Sequence, residues 1–295
     1  MPNPVLTKFT SPGSAAQRQT QTLPRPTGTL PAGPSREELE RMYHQPAFGG
    51  PTYPPTGTQP GYGGGGDGGG ATPASRYMTL DDVVVRTGAM LGVLLVVGGL
   101  SWVLAPNGGA AAPLLLIGLV GGLGLGLYMA FTMKANAVTA LLYSAFEGLL
   151  LGAISRVFND RFPGIVIQAL TGTIMVAAGM LVVYRTGAIR VTPKLTRIIV
   201  GATLGVLGLM IVNLIASIFI DGGLGLRDGG PLAIVFSLLC IGIAAFNLVL
   251  DFDMIEQGIR QGAPEKFAWF ASFGLMVTLI WLYLEILRLL GYLRE

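Results

Sequence analysis

Six ionisable side chains fall within or at the margins of otherwise apolar stretches: Arg86, Glu147, Arg156, Asp251, Asp253 and Glu285, with Asn213 and Asn247 as uncharged companions. An ionised group near a bilayer centre costs about 2.5–3.5 kcal/mol on insertion scales, so each needs a partner or a task. The task open to a carboxylate in such a place is holding a proton or a hard cation. Asp251 shares a helical face with Asn247, one turn earlier. Desolvation and a nearby cation act on such a carboxyl in opposite senses, which could leave it titrating near neutral pH. Asp253 points about 200° away from Asp251, so the two are not expected to face one site, and Asp253 reads as a solvated helix end. Glu147 falls midway along its stretch, where hydrogen-bonded burial and a role on an ion path are both open. Glu285 and Arg288 have the spacing of a local helix pair, and Arg86 and Arg156 lie near enough to stretch ends to snorkel.

Other chemistries lack their residues. Cys240 is the only cysteine and His44 the only histidine, which removes an intrachain disulfide and a zinc site built on Cys and His. Serines within the apolar stretches have no histidine to activate them. No Walker loop or G-x-G-x-x-G turn occurs in a strand–helix setting, so an enzyme is not expected, nor a bound cofactor. A formal charge of +3, spread along the chain, offers no basic patch for nucleic acid.

The elements that must position these groups are seven apolar runs of about twenty residues, each matching a roughly 30 Å hydrocarbon core. Hydrophobic residues make up 51% of the 295 and charged ones 12%, more apolar than a soluble core of this size requires. The pattern predicts spans over 83–105, 113–133, 136–158, 163–184, 198–220, 231–255 and 268–290. Thr79 precedes Asp81 and Asp82 as a predicted N-cap, and Pro106, Pro113, Pro163, Pro193, Pro231 and Pro264 fall in links or first turns. Residues 1–78, rich in Pro, Gly, Thr and Gln, read as a disordered cytoplasmic tail without the apolar core of a signal peptide. Within it, Ser35 and Glu38 have capping-box spacing, for a short helix that is either transient or a docking motif. The fold class is therefore all-α: a polytopic membrane protein, 79–295 forming a seven-helix transmembrane domain. Near-membrane Lys and Arg number nine on the side of the N-terminus and five on the other, which predicts a cell-membrane protein with its N-terminus cytoplasmic and C-terminus extracytoplasmic.

Helices in lipid associate by close packing rather than hydrophobic expulsion. Gly118, Gly122 and Gly126 form a double G-x-x-x-G ridge on the second span, and Gly88/Gly92, Gly148/Gly152 and Gly201/Gly205 repeat the spacing. Packing within the chain is expected, with a homodimer face left open on the second span alone.

Several of these strings resemble the Bax-inhibitor family of seven-span membrane proteins in a bacterial form. Glu147-Gly148-Leu-Leu-Leu-Gly152-Ala153, followed by Ala169 to Thr173, is similar to the family's G-x-x-hydrophobic-G-P and A-x-x-x-T, with alanine at 153 where proline is usual. The basic link before the fifth span and Val212-Asn213 through Phe219 also resemble members of it, and Leu250-Asp251 through Ile255 is similar to Y-D-x-x-x-I with leucine for tyrosine. The resemblance covers about 78–293. It implies a pH-sensitive calcium leak, latched by a carboxylate pair on the last two long spans and a basic residue on the second. Asp251 takes the first carboxylate position, Lys134 is nearest to the basic one, and Leu282-Tyr283-Leu284-Glu285 copies the family's L-Y-L-D. The last hairpin turns near Gly262, about 11 residues from Asp251 and about 23 from Glu285, an axial offset of roughly 18 Å. Matching by depth instead sets Thr278 or its neighbours opposite Asp251.

The leading expectation is a pH-sensitive cation leak, calcium as permeant ion, with ionised Asp251 pairing with Lys134, helped by Asn247, and closing a path that contains Glu147. Any calcium held by Asp251 would be weak and transient. The competing expectation is a regulatory protein of the lipid bilayer that modulates a membrane protease or another membrane-protein partner, with its tail as the recognition element.

Overall fold

The computed structural model describes residues 76–105, 111–220 and 222–295. The expected tail lies outside these residues except for 76–78, and so does the Ser35–Glu38 capping box. Seven helices follow one another: α1 (Leu80–Leu104), α2 (Ala111–Thr132), α3 (Ala137–Arg161), α4 (Ile165–Arg185), α5 (Pro193–Phe219), α6 (Pro231–Arg260) and α7 (Phe267–Tyr292). All seven are long and apolar enough to cross a membrane. There is no strand among the described residues, only an isolated antiparallel bridge between Tyr77 and Pro264.

Local chemistry sets the helix starts. Thr79 and Asp82 form a reciprocal capping box at α1, as do Asn136 and Thr139 at α3. Thr192 caps α5 with Pro193 in its first turn, so that helix begins ahead of the expected 198. Helix α6 continues past the expected 255, because Asp253–Gln257 and Glu256–Arg260 pairs one turn apart support its polar end.

Packing is closest where side chains are smallest. A Cβ on Gly152 would collide with the Gly98 carbonyl, and one on Gly148 would stand 2.8 Å from the Leu94 carbonyl, so α1 and α3 touch backbone to backbone. Ser101 adds a 2.7 Å hydrogen bond to the Leu149 carbonyl there. The ridge on α2 seats on α3 in the same way: a Cβ on Gly118 would lie 2.6 Å from the Leu150 nitrogen. That ridge therefore packs within the chain. Gly88, Gly92, Gly201 and Gly205 share the spacing but face open space, since spacing alone does not fix which way a helix face turns.

Helix α7 is the most enclosed, with 61% of its central stretch buried. Phe273 meets the Tyr143 ring edge-on at 5.0 Å, and Tyr283 shares a 2.6 Å hydrogen bond with Ser155, both tying α7 to α3. At the end of the bundle where α1 begins, called the near end below, residues 76–78 belong to the helical unit. The Met78 amide donates to the Ala263 carbonyl and the Glu265 amide to that of Arg76, both at 2.8 Å, while the Met78 side chain is buried against Gly258. Arg86 does not snorkel. It bonds the Glu265 carbonyl and carboxylate and stacks 5.2 Å from the Trp269 ring, bracing the α6–α7 turn.

Candidate functional site

Helices α5 and α6 touch through Val206, Met210, Phe236 and Cys240, in their far halves, and diverge toward the near end. The divergence leaves a cavity of about 870 Å³ that opens there. Its lining on α6 runs from Asn247 to Gln261, roughly 21 Å of helix at 1.5 Å per residue. Pro193, Thr196 and Arg197 of α5 form the opposite wall.

Asp251 and Asn247 both line the deep part of this vestibule, as their shared face requires. Asp251 is half-buried and accepts a 2.6 Å hydrogen bond from the Thr278 hydroxyl of α7. Thr278 also donates to the Gly274 carbonyl one turn back, so its hydroxyl is shared between helix backbone and carboxylate. The depth-matched position opposite Asp251 is thus occupied by threonine. The carboxylate also lies beside Gly274, where a Cβ would make an ordinary 3.5 Å contact with Oδ1. Asn247 turns its amide the other way, donating to Thr203 of α5 at 2.8 Å and to the Ile243 carbonyl at 2.9 Å. It fastens the two walls together just where they begin to part.

Three expectations for the site change. Asp253 lines the same cavity as Asp251. At 100° per residue the lining positions on α6 sweep an arc of about 160°, and the two acids stand at its opposite margins. A wide cavity can therefore border both, although a narrow site could not. Lys134 is exposed at the end of α2, which packs principally on α3, and its pair with Asp251 is absent from the ion pairs of the described residues. The basic residue that lines the vestibule is Arg197. Glu147 is not on this path either: its carboxyl lies against Gly122 of α2. Among the described residues no three Asp, Glu, His or Cys side chains gather as a metal-binding group.

Glu285 belongs to a separate site at the far end. Its side chain is 3% exposed and receives Arg227 through both guanidinium nitrogens, at 2.7 and 3.0 Å. The local partner Arg288 follows at 3.1 Å, as its spacing foretold, and Ser237 lies at 3.4 Å. Arg227 also contacts the Met210 sulfur at 3.1 Å and stacks 5.5 Å from Phe236. It comes from the α5–α6 loop, where Gly222, Gly223, Gly225 and Gly229 all adopt positive φ and curl the chain into the bundle. Asn213 holds that loop by accepting the Leu224 amide at 2.9 Å. Sequence reasoning counted Arg227 only toward orientation; the signal was its place as the sole cation in a glycine-rich link level with Glu285.

Between the vestibule and this cluster the interior is dry. Ala244, Leu248 and Ile280 are all buried in the main core beyond Asp251. The arrangement is a cavity open at one end, with the Asp251–Thr278 hydrogen bond joining α6 and α7 at its deep part.

The sequence matches the family described as Bax inhibitor 1 like over residues 3–295, a span that takes in the tail as well as the helices. No curated protein matches the chain.

Proposed function

We propose that this chain, which belongs to the Bax inhibitor 1 like family, is a multi-pass membrane protein that leaks cations, calcium among them, with protons as modulators. The observation that carries the reading is the Asp251–Thr278 bond at the deep part of the vestibule, where α6 and α7 are joined. Asp251, Asp253 and Asn247 offer the oxygen ligands a hard divalent cation prefers, and their spread along the walls suits transit better than retention.

An ionised Asp251 accepts a charge-assisted hydrogen bond, worth about 1 kcal/mol more than its neutral counterpart. Protonation gives up that difference, enough for about a fivefold rise in the open population of a two-state closure. The dry segment beyond Asp251 must then part, which the reading assigns to a shift of α6 against α7. The near end carries Arg76, Lys134, Arg185, Arg190, Lys194 and Arg197, so we place it on the cytoplasmic side of the cell membrane.

The test is calcium flux into proteoliposomes across pH. Wild type is expected to leak more as pH falls, and Asp251→Asn to lose that dependence. A variant with the wild-type rate and profile refutes the reading.

A further inference from the structure

Glu147 is left without a task once it is removed from the vestibule. It is 9% exposed, midway along α3, and its Oε1 fits beneath α2 where a Cβ on Gly122 would stand 2.8 Å away. Gly118 and Gly122 are buried in the same seam, and the carboxyl lies against Gly122 where α2 has no side chain.

No cation faces it. Helix α2 carries no Asp, Glu, Lys or Arg at all, and its one ionisable side chain, Tyr128, is exposed. Those of α1 are Asp81, Asp82 and Arg86, all in its first two turns, with Arg86 held by Glu265. From α7, Tyr283 is bonded to Ser155 and Glu285 to Arg227. The residues of α4, Tyr184 and Arg185, lie in its last turn. On α3 itself, Arg156 pairs with Asp160, leaving Tyr143, one turn away, as the polar neighbour of Glu147. Among the described residues Glu147 takes part in no ion pair.

A carboxylate with its charge uncompensated in a dry seam is the costly state; a carboxylic acid there is neutral and can be tolerated. We propose that Glu147 is a proton-binding site in its own right, separate from the vestibule, which carries its proton while α2 is seated on α3. Among the described residues no second or third Asp, Glu, His or Cys joins Glu147 in a metal-binding group, so the proton is the ligand we assign. Because α2 packs principally on α3, loss of that proton acts on the attachment of one peripheral helix and leaves the α6–α7 closure aside. This inference does not rest on the leak reading.

Two measurements on the full chain in lipid test it. In infrared spectra at neutral pH, wild type is expected to show a protonated-carboxyl C=O band that Glu147→Gln lacks. A difference spectrum containing only carboxylate bands overturns the proposal. The second measurement needs no variant. Dicyclohexylcarbodiimide takes up the carboxyl proton on nitrogen while the carboxyl oxygen bonds to its central carbon, and acyl migration to nitrogen then leaves a stable N-acylurea. Peptide mapping is expected to find this adduct on Glu147, with a yield that falls at alkaline pH. No adduct at Glu147, or a yield independent of pH, overturns the proposal.

Discussion

Replacing Arg227 by methionine leaves Glu285 buried with one of its two arginines gone. The carboxylate keeps the 3.1 Å bond from Arg288 but loses two shorter ones. Breaking a buried ion pair by removing one partner costs about 3–5 kcal/mol, and the surviving arginine places this case near the lower limit, about 3 kcal/mol. For a helical unit of this size that corresponds to a melting temperature lower by about 6–12 °C. Methionine preserves much of the side-chain volume beside Met210 and Phe236, so the loss reports charge more than packing. The assay is thermal unfolding of the purified full chain in detergent, beside Glu285→Leu and the double variant. Removing the stranded charge should restore most of the stability, because an apolar substitute for a buried ion pair is often neutral or better. A single variant within about 1 kcal/mol of wild type, or two losses that simply add, would show that Glu285 is not held by Arg227.

Thr278→Val keeps the shape of the side chain and removes the hydroxyl donated to Asp251, a bond to a charged group worth about 1.5–3 kcal/mol, so calcium flux in proteoliposomes should rise at neutral pH. An unchanged rate would detach that bond from closure. Gly152→Ala should destabilise the α1–α3 contact by about 1–3 kcal/mol in thermal unfolding, whereas Gly92→Ala, which faces open space, should be neutral or stabilising by up to about 1 kcal/mol. Deleting residues 1–75 should leave melting and flux unchanged, while deleting 1–78 also removes buried Met78 and should cost about 2 kcal/mol or more in the same melts. Flux lost with residues 1–75 alone would refute a leak built from the helices only, whereas the regulatory reading predicts loss of a bound membrane-protein partner.

The seven helices, their alternating direction and the Thr79 cap were legible in the chain itself. Hydrocarbon thickness imposes run length, and Thr79, Asn136 and the helix-start prolines act on backbone groups only a few residues away. Matching by depth across the last hairpin set Thr278 or its neighbours opposite Asp251, because a helical hairpin converts sequence distance into depth. What neighbours a side chain across the bundle is a different kind of information. Which glycine spacing is buried, whether α2 lies near α6, and that the α5–α6 loop drives Arg227 onto Glu285 all depend on rotations and tilts about helix axes. Those are settled by the sum of many weak packing contacts spread over seven segments, and no local string records them. Hence the depth of Asp251 was set by the sequence alone, while its partner on the basic side, the width of the cavity beside it and the seclusion of Glu147 were decided only when the helices were brought together.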